Sequence, residues 1–253
     1  MDDDTWIIEK KIKFSLASTD DIPELIPFIK ENFLPDEPVL RNVKTLEGNG
    51  WIDEFFLKTV LDLMVTKPVS NVEIAPASIV ARSTLDNSIV GCRIGEIESR
   101  RNVKRVTFPP ILWIGSLPAF LPIPKKLIDM SNVIQHLIDL NYGKNEAFEE
   151  LKDIDKIYFA ANVCVSNKAR GCGLGTELVK RGYEIAKNEG CGYTYILASS
   201  LYSQKIFHKL GNLQVLHEIK FEDYKYDKKG RPFLIDPREH EVIQVLAIRH
   251  SVD

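Results

Sequence analysis

The segment Arg170-Gly171-Cys172-Gly173-Leu174-Gly175 lies between an alternating apolar run and a helical pattern. Before it, Ile157, Phe159, Ala161, Val163 and Val165 recur every second residue, the period of a strand. After it, Leu174, Leu178, Ile185 and Ala186 recur at helical spacing. A strand, a glycine turn and a helix N-terminus restrict this part of the chain to an α/β unit. They also make an anion site, because the first backbone N–H groups of a helix are unpaired and its dipole favours negative charge there. Glycines let the backbone approach a bulky phosphate, and Arg170 adds a cation. Residues 170–176, ending at Thr176, are therefore expected to hold a pyrophosphate.

Three glycine-rich loops compete for that description. A Walker loop needs Gly-Lys-Ser/Thr, and the chain has Gly175-Thr176-Glu177. The dinucleotide fingerprint would place its third glycine at Thr176 and would open the fold rather than lie late in it. The remaining pattern is Arg/Gln-x-x-Gly-x-Gly/Ala, carried by Arg170, Gly173 and Gly175. On its own this short pattern is equally compatible with a plain glycine turn before a helix.

The rest of the chain reads as an α/β protein. Lys11 to Leu16 alternates as a first strand. Thr19, Asp20 or Asp21 can cap a helix whose Ile22, Leu25, Ile26, Ile29 and Phe33 share one face, with Pro27 expected to kink or delay it. A second helix is expected over Trp51–Val65, with Ile52, Phe56, Val60 and Leu63 on one side. Ser78–Arg82 and Ser88–Glu96 read as a hairpin turning near Asp86-Asn87. Residues 98–127 read as irregular, and a helix is expected over Asp129–Leu140. After the glycine loop come a strand over Tyr193–Ala198, a short helix with Ile206, Phe207 and Leu210, and strands over Gln214–Lys220 and Val242–Arg249. The order β, α, α, β, β, loop, α, β, α, β, α, β, β gives a mixed sheet with helices on both faces.

Composition excludes several classes. With 253 residues, no Gly/Ser linker and no repeat, one domain spanning 1–253 is the simpler reading, with 1–10 as a tail and 98–130 as an insertion. A net charge of -3 gives no general attraction to nucleic acid, and Arg100-Arg101 and Lys104-Arg105 read as a solvated loop. Cys92, Cys164, Cys172 and Cys191 form no C-x-x-C pair, and the five histidines, His136, His208, His217, His240 and His250, show no ligand spacing, so no metal is expected. The stretch Pro109 to Pro124 is too short and too proline-rich to span a bilayer. Met1-Asp2-Asp3-Asp4 lacks the basic and apolar blocks of a signal peptide, so reduced thiols and a cytoplasmic setting are expected.

The glycine loop resembles the coenzyme A pyrophosphate loop of the GNAT-type N-acetyltransferases. The downstream residues strengthen the likeness: Gly182-Tyr183-Glu184, Tyr193 to Ala198, Ser199-Ser200-Leu201-Tyr202-Ser203, Lys209-Leu210-Gly211, Phe221-Glu222-Asp223-Tyr224-Lys225 and Ile243-Gln244-Val245. With Asn32-Phe33-Leu34-Pro35-Asp36-Glu37-Pro38, the succession is similar to the insect-type arylalkylamine N-acetyltransferases, which include dopamine N-acetyltransferases. It covers 12–98 loosely and 157–249 closely. The resemblance implies a GNAT fold with a largely antiparallel seven-stranded sheet, whose fourth and fifth strands splay around the pantetheine arm of acetyl-CoA. It implies a monomer that acetylates a small amine.

An acetyl thioester reacts with an amine by direct attack. The amine needs a base, the tetrahedral oxyanion needs donors, and the thiolate needs a proton. Glu37 lies between Pro35 and Pro38 and is stiffly held; from the residues alone it is as well an exposed carboxylate or a cap, and Asp36 competes for the role. The family's matching glutamate selects Glu37 as base, acting directly or through water. Ser199 and Ser203 flank a strand end and a first helical turn, so both hydroxyls could reach one place. Ser199 or Ser200 could instead be only the N-cap, and Ser203 could serve only to bind coenzyme. The resemblance puts Ser199 and Ser203 in the catalytic centre and, with Tyr202, against acetyl-CoA. It also pairs the backbone of Val163, Cys164 and Val165 with the pantetheine amides.

Two departures stand out. Phe207 occupies the place of a tyrosine that many superfamily members use as acid, so an acid should come from Ser199, Ser203 or Tyr202. Gly211-Asn212 replaces the usual Gly-Phe. The closely spaced histidine pair of vertebrate arylalkylamine acetyltransferases is missing. Cys172 reads as a passive loop residue and His217 as surface or core. The amine pocket is expected between the Glu37 segment, the hairpin end and the 98–127 loop, with Phe108, Trp113 and Phe120 available to an aromatic ring.

Overall fold

A computed structural model describes residues 12–38, 57, 58, 61, 65, 75–99, 154–223 and 238–250. Eight strands form one sheet: β1 (Ile12–Leu16), β2 (Ala75–Pro76), β3 (Ile79–Ser83), β4 (Ile89–Ser99), β5 (Lys156–Val165), β6 (Tyr193–Ala198), β7 (Leu213–Lys220) and β8 (Val242–Arg249). Seven run in the order β1-β3-β4-β5-β6-β8-β7, and the two-residue β2 pairs with β4 off that path. Every pairing is antiparallel except β5 with β6. The seven-stranded expectation therefore holds along the path, and β2 is an addition too short to leave a sequence period. The expected helix over Asp129–Leu140 and the segment 98–127 beyond Ser99 lie outside the described residues.

Helix α1 (Ile22–Asn32) lies on one face of the sheet. Its Ile22, Leu25, Ile26, Phe28 and Ile29 pack with Val80, Cys92, Ile94 and Cys164, joined by the helical Leu57, Leu61 and Val65. The stripe expected on that second helix, Ile52, Phe56, Val60 and Leu63, lies outside the described residues. Pro23 and Pro27 are both exposed, and α1 runs straight through Pro27 rather than starting late. The ring's missing donor thus falls on the face turned to water. A single 3-10 turn (Thr19–Asp21) precedes α1, and its cap is Ser18, whose N–H and Oγ both donate to Asp21 Oδ2 at 2.7 and 3.0 Å.

Helices α2 (Leu174–Asn188) and α3 (Leu201–Leu210) cover the opposite face. Leu174 and Leu178 pack on Ile79 and Ala81, while Val179, Ala186 and Phe207 pack on Tyr158, Ala160, Ile196, Leu246 and Ile248. The β4–β5 register shifts at Ile94/Gly95, where Ile94 pairs with Asn162 and Gly95 with Ala160. Ala161 is the extra residue of this bulge, and it shifts the alternation. Before it Tyr158 and Ala160 face α2 and α3; after it Val163 and Val165 do.

Candidate active site

The bulge also ends the parallel ladder. β5 and β6 pair from Ile157↔Tyr193 to Ala160↔Ile196 and no further. Beyond that point β5 stays with β4 as far as Val165↔Gly91, and β6 stays with β8 as far as Ala198↔Gln244. The two central strands thus splay, as expected, and residues 161–163 become half-buried where 157–160 were buried. Because the strands are parallel, their C-terminal ends open the cleft on one side. The glycine loop leaves β5 there and Ser199 leaves β6 there.

A 3-10 turn, Asn167–Ala169, precedes the glycine loop. Gly171 (φ +79°) and Gly173 (φ +83°) take left-handed backbone, and Gly173 is the N-cap of α2. An L side chain at either position would be strained. The first helical bond runs from the Glu177 N–H to the Gly173 carbonyl at 3.0 Å, so the N–H groups of Leu174, Gly175 and Thr176 precede the ladder. This is the geometry of an anion-binding helix start. Cys172 is buried, with its thiol donating to the Ala169 carbonyl, which fits a passive role.

Arg170 is positioned differently from a simple phosphate ligand. Its guanidinium donates to Asp36 Oδ2 (2.5 Å) and the Asn32 carbonyl (2.7 Å), and its Nε reaches the Val165 carbonyl (3.4 Å). Asn32 completes the clamp: its Oδ1 accepts from the Asn167 N–H (3.0 Å) and its Nδ2 donates to the Phe28 carbonyl (3.0 Å). The negative C-terminal end of α1 draws a cation, and Arg170 supplies it. The clamp ties α1 to the glycine loop.

Beyond Asn32 the chain turns, with the N–H groups of Asp36 and Glu37 both donating to the Phe33 carbonyl (3.1 and 3.0 Å). That turn separates two adjacent carboxylates. Asp36 goes to Arg170, with nearly half its side chain exposed. Glu37 is 8% exposed, and its Oε1 accepts from Ser199 Oγ at 2.5 Å. The two adjacent carboxylates thus meet different partners, and Glu37 faces the end of β6.

The serines also separate. Ser200 is the N-cap of α3, its Oγ accepting from the Tyr202 N–H at 3.2 Å. Ser199 is free of capping and holds Glu37. Ser203 Oγ donates to the Ser200 carbonyl at 2.7 Å, so its hydroxyl is committed to the backbone rather than to Glu37. Tyr202 is exposed; its phenol is kept protonated above the usual range by a hydrogen bond to Glu239, with the charge of Asp36 adding. Phe207 is buried in the core and offers no proton.

Residues that the sequence did not single out hold these groups. Gln204 Nε2 donates to the carbonyls of Ala198 (2.9 Å) and Val242 (2.8 Å), joining β6 to β8 beside their last pair. His240 Nδ1 accepts from the Leu201 N–H at 3.1 Å, and its ring meets Tyr202 edge-on at 5.9 Å. Asn32 and Gln204 are both buried polar residues on apolar helix faces, a break in the stripe that could have marked them. His217 is exposed on the outermost strand, β7. Phe108, Trp113 and Phe120 lie outside the described residues.

A sheet splayed at a bulge, with a glycine-rich helix start at the opening, is the GNAT fold. Residues 145–211, which contain β5, the loop, α2, β6 and α3, match the acetyltransferase (GNAT) family. Fold and matching segment together liken the chain to the GNAT-type N-acetyltransferases, enzymes that take their acetyl group from acetyl-CoA. Among solved structures, the chain is similar to arylalkylamine N-acetyltransferase 2 of Aedes aegypti (TM-score 0.68, 22% identity, covering 96% of this chain and 99% of that one). It is similar to a mosquito arylalkylamine N-acetyltransferase like 5b (0.68, 18%, 95% and 100%). It is also similar to the Drosophila melanogaster polyamine N-acetyltransferase, which catalyses formation of N-acetylagmatine (0.68, 16%, 95% and 100%). At these identities the likeness establishes the fold.

Proposed function

We propose that the chain, acting as a monomeric single domain in the cytoplasm, transfers the acetyl group of acetyl-CoA to the primary amine of an arylalkylamine such as dopamine, tyramine, octopamine, tryptamine or serotonin. The observation that carries this is the Ser199–Glu37 contact at the mouth of the β5–β6 cleft. Acetyl-CoA lies with its diphosphate on residues 170–176 and its pantetheine arm along Val163, Cys164 and Val165, whose edge toward β6 has lost its ladder. It binds first and completes the amine pocket. Glu37 takes a proton from the ammonium, directly or through a water. The free amine attacks the thioester carbon, the C–S bond breaks, the thiolate receives its proton from the Ser199, Ser203 or Tyr202 hydroxyl, and that oxygen takes up the second proton that the nitrogen gives up as the amide forms. Holding the two reactants in line supplies much of the rate.

A polyamine or agmatine acceptor is the second reading. It is favoured by three carboxylates, Asp36, Glu37 and Glu239, around the start of α3. Free-thiol release across a panel of arylalkylamines, agmatine, putrescine and spermidine tests both. The arylalkylamines are expected to show the highest kcat/KM. Preference for the polycations would select the second reading. Acetyl-CoA binding with no thiol release for any amine would leave a non-catalytic coenzyme-binding module.

The serines separate experimentally. Ser200→Ala should cost about 1 kcal/mol of stability in urea, as loss of a cap does, with kcat unchanged. Ser199→Ala should lower kcat about ten- to a hundredfold, the worth of a hydrogen bond to a charge, with stability nearly unchanged. An unaltered kcat in Ser199→Ala would remove it from the mechanism.

A further inference from the structure

We propose that Arg93 is a long-range binding residue for acetyl-CoA: a buried guanidinium whose counter-charge is the coenzyme's own diphosphate, felt through α2. This rests on the reading that residues 170–176 hold that diphosphate.

Arg93 lies on β4, paired with Ile79 on one side and Val163 on the other, and it is wholly buried. Its side chain enters the layer between the sheet and α2. Nε donates to the Tyr158 oxygen (3.2 Å), whose own O–H donates to the Ala77 carbonyl (3.0 Å). Nη1 donates to the Val179 carbonyl on α2 at 2.7 Å. The rings of Tyr158 and Tyr183 lie 4.8 and 5.4 Å from Cζ. Among the described residues Nη2 has no partner, the nearby Tyr183 hydroxyl has none, and no carboxylate pairs with the guanidinium.

A buried cation with only carbonyl, phenol and ring neighbours is expensive, and an arginine carries its charge wherever it sits. The helix gives up a side chain to admit it: a Cβ on Gly182 would stand 2.4–2.6 Å from the guanidinium. Such an arrangement calls for an anion. The cation of the glycine loop, Arg170, is already paired with Asp36. The remaining anion-seeking feature in reach is the start of α2. The guanidinium lies level with Gly182, so back to Gly173 the helix rises about 14 Å, which puts a diphosphate on that start about 17 Å away. The helix dipole points the same way and adds to the field.

Protein rather than water fills the path, so salt screens it weakly. Two negative charges about 17 Å from a cation at an effective dielectric of about 20 would gain up to about thirtyfold in affinity. Solvent at the open diphosphate reduces this to about tenfold.

The test is the dissociation constant of acetyl-CoA and of acetylpantetheine, which lacks the diphosphate, for the wild type and for Arg93→Met, Arg93→Gln and Arg93→Lys. Gln keeps a donor toward Val179 and Tyr158 if Met does not fold. The neutral variants should weaken acetyl-CoA about tenfold and acetylpantetheine not at all, while Lys, which keeps the charge, stays near wild type. The proposal is overturned by a folded neutral variant with wild-type acetyl-CoA affinity. Equal losses for both ligands, or a loss in Arg93→Lys as large as in Arg93→Gln, would also overturn it, since those point to a displaced loop. A wild type that binds acetyl-CoA no better than acetylpantetheine would instead sink the diphosphate reading on which the proposal stands.

Discussion

Replacing Glu37 by alanine is expected to lower kcat by about 10²–10⁴-fold, the usual contribution of a positioned base, while acetyl-CoA still binds. The carboxylate is buried and makes its contact with Ser199, across the cleft from the coenzyme loop, so its loss should leave the loop intact. Glu37→Gln keeps the shape and the contact to Ser199 but accepts no proton, and should lose nearly as much. The expected signature is a fall in both kcat and kcat/KM for the amine, with the KM for acetyl-CoA little changed. Asp36→Asn provides the contrast. It breaks the ion pair with Arg170 and should raise the KM for acetyl-CoA before it lowers kcat. A Glu37→Ala enzyme with wild-type turnover of dopamine would mean that the base lies elsewhere.

Acid should destabilise the protein through His250. This imidazole is buried; its Nε2 lies 2.7 Å from Thr194 Oγ1, Tyr183 meets it edge-on at 5.5 Å, and the backbone N–H of His250 donates to the Gly192 carbonyl at 2.9 Å. Burial, then the charges of Lys187 and Arg93, push its pKa down from 6.5 to about 4, with Glu184 opposing. The folded protein therefore holds it neutral where the unfolded chain takes up a proton. Stability from this group is complete above about pH 6.5 and falls as pH drops toward about 4, by about 2–3 kcal/mol in all. Urea midpoints between pH 7 and pH 4 should show this slope in the wild type. In His250→Asn the slope should flatten over that window. An identical slope in both would assign the acid sensitivity to other groups.

The elements nearest the chemistry were the most legible in the sequence. Tyr193–Ala198 and Val242–Arg249 appear at their expected bounds, and the hairpin turns at Asn87, whose φ of +59° suits its asparagine. These segments are β-rich apolar runs bounded by turn residues, and local chemistry decides them. The splay was expected only from the family resemblance. Its cause, one extra residue at Ala161, is invisible in a run of small and apolar side chains, because a bulge is decided by the neighbouring strand. Likewise Glu37 could be nominated from its neighbours, but its separation from Asp36 comes from the turn at Phe33, which no local pattern shows. Arg93 gave no warning at all. An arginine amid alternating residues reads as solvent-facing, and only the close approach of Gly182, far along the chain, shows otherwise.

The adjacency of Asp36 and Glu37 has a consequence for how such a protein can drift. Two neighbouring acids meet different partners: Asp36 is a strut to the glycine loop, and Glu37, the proton acceptor in the proposed reaction, meets Ser199. Adding a single residue between Phe33 and Asp36 would put Asp36 in the place of Glu37, and deleting one there would put Glu37 in the place of Asp36. Side chains in this stretch are therefore freer to vary than its length, and a lineage that shifted its frame here would lose the reaction while keeping every residue type the reaction needs.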